Sequence, residues 1–346
     1  MVFLSLVSGF IFLTYGAHLL IKGASKLAYS FGVSHLVVGL TVVAFGTSLP
    51  ELAVSVKAAW VGQSDIALGN VVGSNILNVL FILGVSSLIL PLIVAKQLIK
   101  FDVPVMIGLS LLVYVLGIDG SISRIEGLLL STSLIIYCWI LLKLGNTGNT
   151  IIKGESPLLK SALFVVIGLF MLVTGAKLLV SSSVSIAQSF GVSELVIGLT
   201  LVAFGTSLPE VVTSIIASIK GERDIAVGNI IGSNIFNILA VLGISSAVRE
   251  VSVSKSALYF DIPIMIGVAL ACFPIFFSGV ISRIYGCSLL FYYFAYTTYL
   301  LLNAKQHHFL DEFTSIMLYL VIPLTVLGLT LSLLHTLRTT HLQKRS

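Results

Sequence analysis

The 346 residues are 57% hydrophobic and only 10% charged, with a mean hydropathy of +1.12, far beyond what a soluble domain needs to fill one core. The net charge of +5 does not point to nucleic acid, because Lys and Arg are scattered singly among predicted loops and form no stripe. Cys138, Cys272 and Cys287 fall inside apolar runs without a C-x-x-C pairing, so neither a disulfide framework nor a zinc site is signalled.

Apolar runs long enough to cross a bilayer, about 20 residues each, are predicted near residues 2–21, 33–60, 66–90, 102–118, 124–143, 160–180, 192–219, 225–247, 257–278, 284–302 and 313–336. They are continuously apolar where a membrane strand would alternate, so the fold class is an all-α integral membrane protein. The first run has no positive residue before it and no A-x-A-like cleavage site, and is expected to be a retained helix. Between the fifth and sixth runs, Gly145 to Pro157 contains GNTGNT and GESP and reads as an exposed loop. Counted on alternate sides, 13 basic residues, among them Lys22, Lys26, Lys160, Lys220 and Arg223, face six: Lys57, Arg124, Lys177, Arg249, Lys255 and Lys305. The positive-inside rule then puts the N-terminus outside and the C-terminus in the cytoplasm of a multi-pass cell-membrane protein.

The chain repeats itself. GTSLPE stands at Gly46 to Glu51 and again at Gly205 to Glu210, 159 residues later, and the same offset maps Gly32 onto Gly191, Asn70 onto Asn229, Ser74 onto Ser233, Asn78 onto Asn237 and Asp102 onto Asp261. Between Gly32 and Gly84 roughly three residues in five match, too many for shared hydrophobicity alone. Each copy holds five predicted spans, and an odd number makes the second copy enter the membrane from the opposite side. The expected organisation is a first five-helix repeat over residues 1–144, a cytoplasmic linker over 145–159, an inverted five-helix repeat over 160–303, and an extra C-terminal helix and cytoplasmic tail over 304–346. Inverted repeats are a common plan of secondary transporters, with the substrate site where the halves meet.

Glu51 and Glu210 are the only carboxylates well inside predicted spans, a placement that costs about 2.5–3.5 kcal/mol on insertion scales. Two at equivalent positions in identical hexapeptides read as a site rather than as isolated protonated acids. Pro50 and Pro209 cannot donate to the carbonyls of Gly46 and Gly205, and freed carbonyls at membrane depth are tolerated where they are buried or meet an ion or water. Thr47, Ser48 and Glu51 share one helical face, as do Asn70, Ser74 and Asn78, repeated as Asn229, Ser233 and Asn237. Gly69, Gly73, Gly228 and Gly232 read as close-packing ridges, and Asn75 and Asn234 as interhelical hydrogen-bond glue. Carboxylates, amide oxygens, hydroxyls and carbonyls without thiol or imidazole suit Ca2+, and two carboxylates neutralise one Ca2+ or two Na+. Asp102 and Asp261, in DVP and DIP, are predicted to cap helices, and Asp65 and Asp224 to precede helices in the same way. His18 aligns with Lys177 and is no ligand candidate; His307 and His308 read as a solvated loop.

These hexapeptides and the GSN-x-x-N runs resemble the two alpha repeats of the calcium:cation antiporter superfamily, specifically prokaryotic sodium/calcium exchangers, over Met1 to Asn303. The resemblance implies Ca2+ and Na+ binding by Glu51 and Glu210, backbone oxygen from Thr47 and Thr206, and Na+ ligands from Ser48, Ser207, Ser74, Ser233 and Asn78. Asn237 stands where some exchangers carry Asp, which argues against K+ co-transport. It implies no enzyme activity, no resident cofactor, and no regulatory domain in so short a central loop; Ca2+, Na+ and lipid are the expected partners. The alternatives are Ca2+/H+ antiport by the same Glu pair, disfavoured because proton-coupled relatives show GN-x-x-E in place of GTSLPE, and a cation channel. An intramembrane enzyme is disfavoured by the absence of an H-E-x-x-H motif.

Overall fold

The structure, a computed structural model, describes residues 2–145, 158–190, 203–277 and 279–331. Most of the Gly145–Pro157 linker, Gly191, the opening of the run predicted at 192–219, and the C-terminal tail lie outside these residues. The helices are α1 (Val2–Phe31), α2 (His35–Thr47), α3 (Leu49–Trp60), α4 (Ser64–Ile89), α5 (Leu98–Gly117), α6 (Arg124–Leu144) and α7 (Leu158–Ser189). They continue with α8 (Ala203–Thr206), α9 (Leu208–Ile219), α10 (Arg223–Val248), α11 (Ile262–Phe277), α12 (Arg283–Ala304) and α13 (Leu310–Leu331). Among the described residues seven are long and apolar enough to cross a membrane, or eight if α2 and α3, bent by 47° at Ser48, form one span. α10 lies wholly inside the bundle, whereas α13 has no fully buried residue in its span and packs at the periphery against α12, where Tyr292 donates to Val321 O at 3.4 Å.

Local signals set these boundaries. Ser34 accepts the amide of Val37 to start α2, and Ser123 with Glu126 forms a capping box at the start of α6. α3 and α9 both end on a glycine with positive φ, Gly62 at +85° and Gly221 at +77°, a conformation that side chains resist. The residues after them, Gln63 and Glu222, then return their amides to Ala58 and Ala217 at 2.8 and 2.9 Å, closing the last turn.

The two halves interlock by exchanging partners. β1 (Leu92–Ile93) pairs with β4 (Val280–Ile281), and β2 (Ser121–Ile122) with β3 (Val251–Ser252), so each short ladder joins one half to the other. α1 packs along α7, its counterpart, in the opposite direction. A Cβ added at Gly9 would meet Leu179 N at 2.8 Å, at Gly16 Gly168 O at 2.9 Å, and at Gly23 Ser161 O at 2.8 Å. One index rises as the other falls, as equivalent helices of oppositely inserted halves require. α2 and α10 meet as closely, with Gly228 and Gly232 against the carbonyls of Leu36 and Leu40 at 2.9 and 2.7 Å, the small-residue ridge expected for these two glycines, whereas a Cβ at Gly69 or Gly73 meets no described atom within 4 Å.

The predicted caps at Asp102 and Asp261 are not found. Asp102 has helical φ and ψ of −71° and −41° and caps no amide; it ends a π turn, Leu98–Asp102, and is fully buried. Its carboxylate accepts from Tyr137 OH at 3.0 Å and Gln97 Nε2 at 3.2 Å, and Asp261, ending the π turn Ala257–Asp261, accepts from Tyr296 OH at 3.0 Å. The tyrosine 35 residues downstream wins because a buried carboxylate requires donors. Asp65 and Asp224 lie in the first turns of α4 and α10, after Gln63 and Glu222 at the cap positions. Replacing Tyr137 by Phe should leave Asp102 with one side-chain donor and cost about 1–3 kcal/mol, measured as a lower unfolding midpoint. Adding Asp102→Asn should recover part of the loss.

Candidate functional site: a cation site where the two kinks meet

In each half the helix breaks at the serine of GTSLPE. Ser48 has φ and ψ of −82° and 6°, Ser207 of −85° and 5°. Each proline therefore enters the first turn of a new helix, where its missing N–H is harmless, and Gly46 O is offered no amide by Pro50. Glu51 and Glu210 fall in the first turns of α3 and α9, where helix amides and dipole favour negative charge, while α2 and α8 end nearby with the negative ends that favour cations.

The glutamates are held crosswise. Ser48 Oγ donates to Glu210 Oε1 at 3.0 Å and Ser207 Oγ to Glu51 Oε1 at 2.8 Å; Ser207 Oγ also lies 3.1 Å from Ser74 Oγ. The two carboxyl groups are close enough for their charges to repel. Among the described residues no Lys, Arg or His pairs with either, since the ion pair found there joins His35 to Glu222. Burying two like charges without a counter-ion costs several kcal/mol per ion, which a bound cation offsets.

Behind the glutamates, four asparagines form a box. Asn78 Nδ2 donates to Asn234 Oδ1 and Asn237 Nδ2 to Asn75 Oδ1, both at 3.0 Å, and Asn75 Nδ2 reaches Asn234 O at 3.3 Å. Asn234 and Asn75 are steadied in turn by the sulfurs of Met106 and Met265 at 3.4 and 3.6 Å. With the amide nitrogens of Asn78 and Asn237 occupied this way, their oxygens are left over. Indeed Glu51 Oε2, Glu210 Oε2, Asn78 Oδ1, Asn237 Oδ1 and Ser233 Oγ are all buried with no hydrogen-bond partner among the described residues. Buried polar atoms are nearly always paired, so these five unpaired oxygens, two of them on carboxylates, make this junction the candidate for a ligand with positive charge.

Of the ten candidates, Thr47, Ser48, Glu51, Ser74, Asn78, Ser207, Glu210, Ser233 and Asn237 are buried and Thr206 is half-buried. The hydroxyls of Thr47 and Thr206 donate to Asn229 Oδ1 and Asn70 Oδ1, at 3.1 and 3.3 Å, and so tie each kink to the opposite half. Asn70 and Asn229 are therefore supports of the kinks; their amides also donate to Ser55 and Ser214 at 2.9 Å. Asn75 and Asn234 are the interhelical glue their sequence suggested. The serines at 55 and 214 escaped notice, although the offset pairs them. A π turn follows each inner asparagine, Asn78–Leu83 and Asn237–Leu242, a distortion frequent at functional sites. Changing Asn75 to Ala should strand the Asn237 amide and cost about 1–3 kcal/mol, while titration should show weakened cation binding because Asn237 Oδ1 is no longer aimed.

Known proteins share this build. The family described as Sodium/calcium exchanger protein matches residues 1–143 and 160–302. The sodium/calcium exchanger MaX1 of Methanosarcina acetivorans is 34% identical over 85% of this chain and 97% of its own. The inner membrane protein YrbG of Escherichia coli is 35% identical over 77% of this chain and 85% of its own. A solved structure of the sodium-calcium exchanger NCX_Mj, soaked with Na+ and Sr2+, superposes with a TM-score of 0.77 at 34% identity, covering 85% of this chain and 98% of that one. The chain, a multi-pass helical membrane protein that works as a cation antiporter and not as an enzyme, belongs to the sodium/calcium exchanger family.

Proposed function

We propose that this antiporter exchanges Ca2+ for Na+ at the junction of Glu51 and Glu210. The observation that carries the reading is the set of orphaned oxygens, two carboxylate, two amide and one hydroxyl, in a buried site without thiol or imidazole. Ca2+ takes about six to eight oxygens at roughly 2.3–2.6 Å; these five and the carbonyls of Thr47 and Thr206 make seven. Ser48, Ser207, Ser74, Ser233, Asn78 and Asn237 supply neutral ligands for Na+. Because the two carboxylates carry two charges, one Ca2+ or two Na+ balances them, so the ions compete for one site and cross by turns.

Alternating access follows if α1 and α7 move together past the kinks. Their contact is lined by glycines and by buried Leu13, Leu20, Val165 and Leu172, and a Cβ at Gly46 or Gly205 would strike Leu169 or Val180, both on α7. The excess of Lys and Arg on one side supports an outside N-terminus. The test is 45Ca2+ uptake into proteoliposomes loaded with Na+, against K+-loaded vesicles and vesicles with a pH gradient. Uptake that requires an outward Na+ gradient is expected; uptake driven by the proton gradient alone would make the chain a Ca2+/H+ antiporter.

A further inference from the structure

One rim of the molecule carries a cluster of cations that the exchange site does not use. Lys22 and Lys26 lie one turn apart on α1, and both ammonium groups stand over the Phe164 ring of α7, at 5.4 and 5.7 Å from its centroid. Lys160 is one turn before Phe164 on the same helix. Lys220 follows the last residue of α9, a helix that packs against α1. None of these lysines has an ion pair among the described residues, and the contact of Glu222, two residues beyond Lys220, is with His35 at 3.4 Å.

The fold does not require this charge. The 159-residue offset places Ser181, Ser185 and Val61 where Lys22, Lys26 and Lys220 stand, and Ser5 where Phe164 stands, so at these equivalent positions the same helix pair carries neither lysine nor ring. What adjoins the cluster is bare apolar surface. On the stripe of α1 that leads away from Lys22, Ile11 and Tyr15 are exposed, and Ile167 is exposed one turn beyond Phe164.

We propose that Lys22, Lys26, Lys160 and Lys220 bind the phosphate of an anionic phospholipid whose acyl chains lie along the apolar flanks of α1 and α7. Uncompensated lysines where helices meet the headgroup layer attract such lipids, and a lipid so held ties α1 and α7 to the end of the helix that carries Glu210. The inference is independent of which ions are exchanged.

The test is lipid retention by the purified full-length protein, read by native mass spectrometry with phosphatidylglycerol or phosphatidylcholine, with unfolding midpoints in the same lipids. Wild type should retain and be stabilised by phosphatidylglycerol over phosphatidylcholine. Each single Lys→Gln change should weaken retention about fivefold, and K22Q/K26Q/K160Q/K220Q should hold both lipids alike. Lys143→Gln, which removes a lysine seated on Trp139 instead, should change nothing. Equal retention of the two lipids by wild type, or undiminished phosphatidylglycerol retention by the single and quadruple variants, overturns the proposal. Displacement of the lipid by millimolar inorganic phosphate with the same stabilisation also overturns it, because the site would then bind a free anion. If the quadruple variant does not fold, the single variants decide.

Discussion

Changing Glu51 or Glu210 to Gln should abolish coupled Ca2+ flux and at the same time leave the empty protein as stable as before or more so. The two effects have one cause. Each carboxylate keeps one oxygen on a serine of the other half, Ser207 or Ser48, and leaves the second oxygen without a partner among the described residues. A glutamine keeps the acceptor for the serine and removes a buried charge, so the ion-free state loses a repulsion. With the ion present, removing one partner of a buried charge pair costs about 3–5 kcal/mol, roughly two to three and a half orders of magnitude in Ca2+ affinity. The measurement pairs flux in proteoliposomes with the unfolding midpoint, with and without Ca2+. Wild type should be stabilised by Ca2+ and E51Q should not; a variant that keeps both the stabilisation and the flux would place the ion elsewhere.

The second large effect concerns the contact of α1 with α7. A Cβ at Gly175 would sit 2.8 Å from Leu13 N and 2.9 Å from Gly9 O, and one at Gly16 would sit 2.9 Å from Gly168 O and Leu172 N. Backbone atoms cannot rotate aside as side-chain ends do, so any larger residue forces the helices apart along their length. Overpacking usually costs about 1–3 kcal/mol, and Gly175→Val or Gly16→Val should reach at least the upper end, because the lost close approach also removes dispersion contacts that hold membrane helices together. Gly108→Val and Gly267→Val are the controls, since a Cβ at either meets nothing within 4 Å among the described residues. Differential scanning of the purified variants reads the result; a Gly175→Val protein that melts with the controls would show that the contact is slack.

Much of the site was legible in the chain because the same demands are written twice. Two GTSLPE hexapeptides and two GSN-x-x-N runs in register single out the kinks, the glutamates and the inner asparagines without any knowledge of their distances. Features with no local signature stayed hidden. A π turn such as Asn78–Leu83 keeps the apolar pattern of an ordinary helix, and two-residue ladders such as Leu92–Ile93 with Val280–Ile281 are too short to show alternation. Asp102 misled because an Asp ahead of Val-Pro has the local form of a cap, whereas its fate is decided by Tyr137 on the next helix. The asparagine stripe was over-read for a similar reason. Asn70 and Asn78 share a helical face, yet Asn70 meets the threonine of the opposite kink and Asn78 meets Asn234.

The exchange of partners between halves has a consequence for ancestry. Gly9 meets Gly175 while Gly16 meets Gly168, Ser48 holds Glu210 while Ser207 holds Glu51, and β1 takes β4 while β2 takes β3. Such a surface is isologous: it is complementary to a copy of itself turned over. A polypeptide made of one half alone would meet the counterparts of these partners in a second molecule inserted upside down. Joining the halves in one chain frees each position from its counterpart, as where Lys22 stands against Ser181 and Lys220 against Val61.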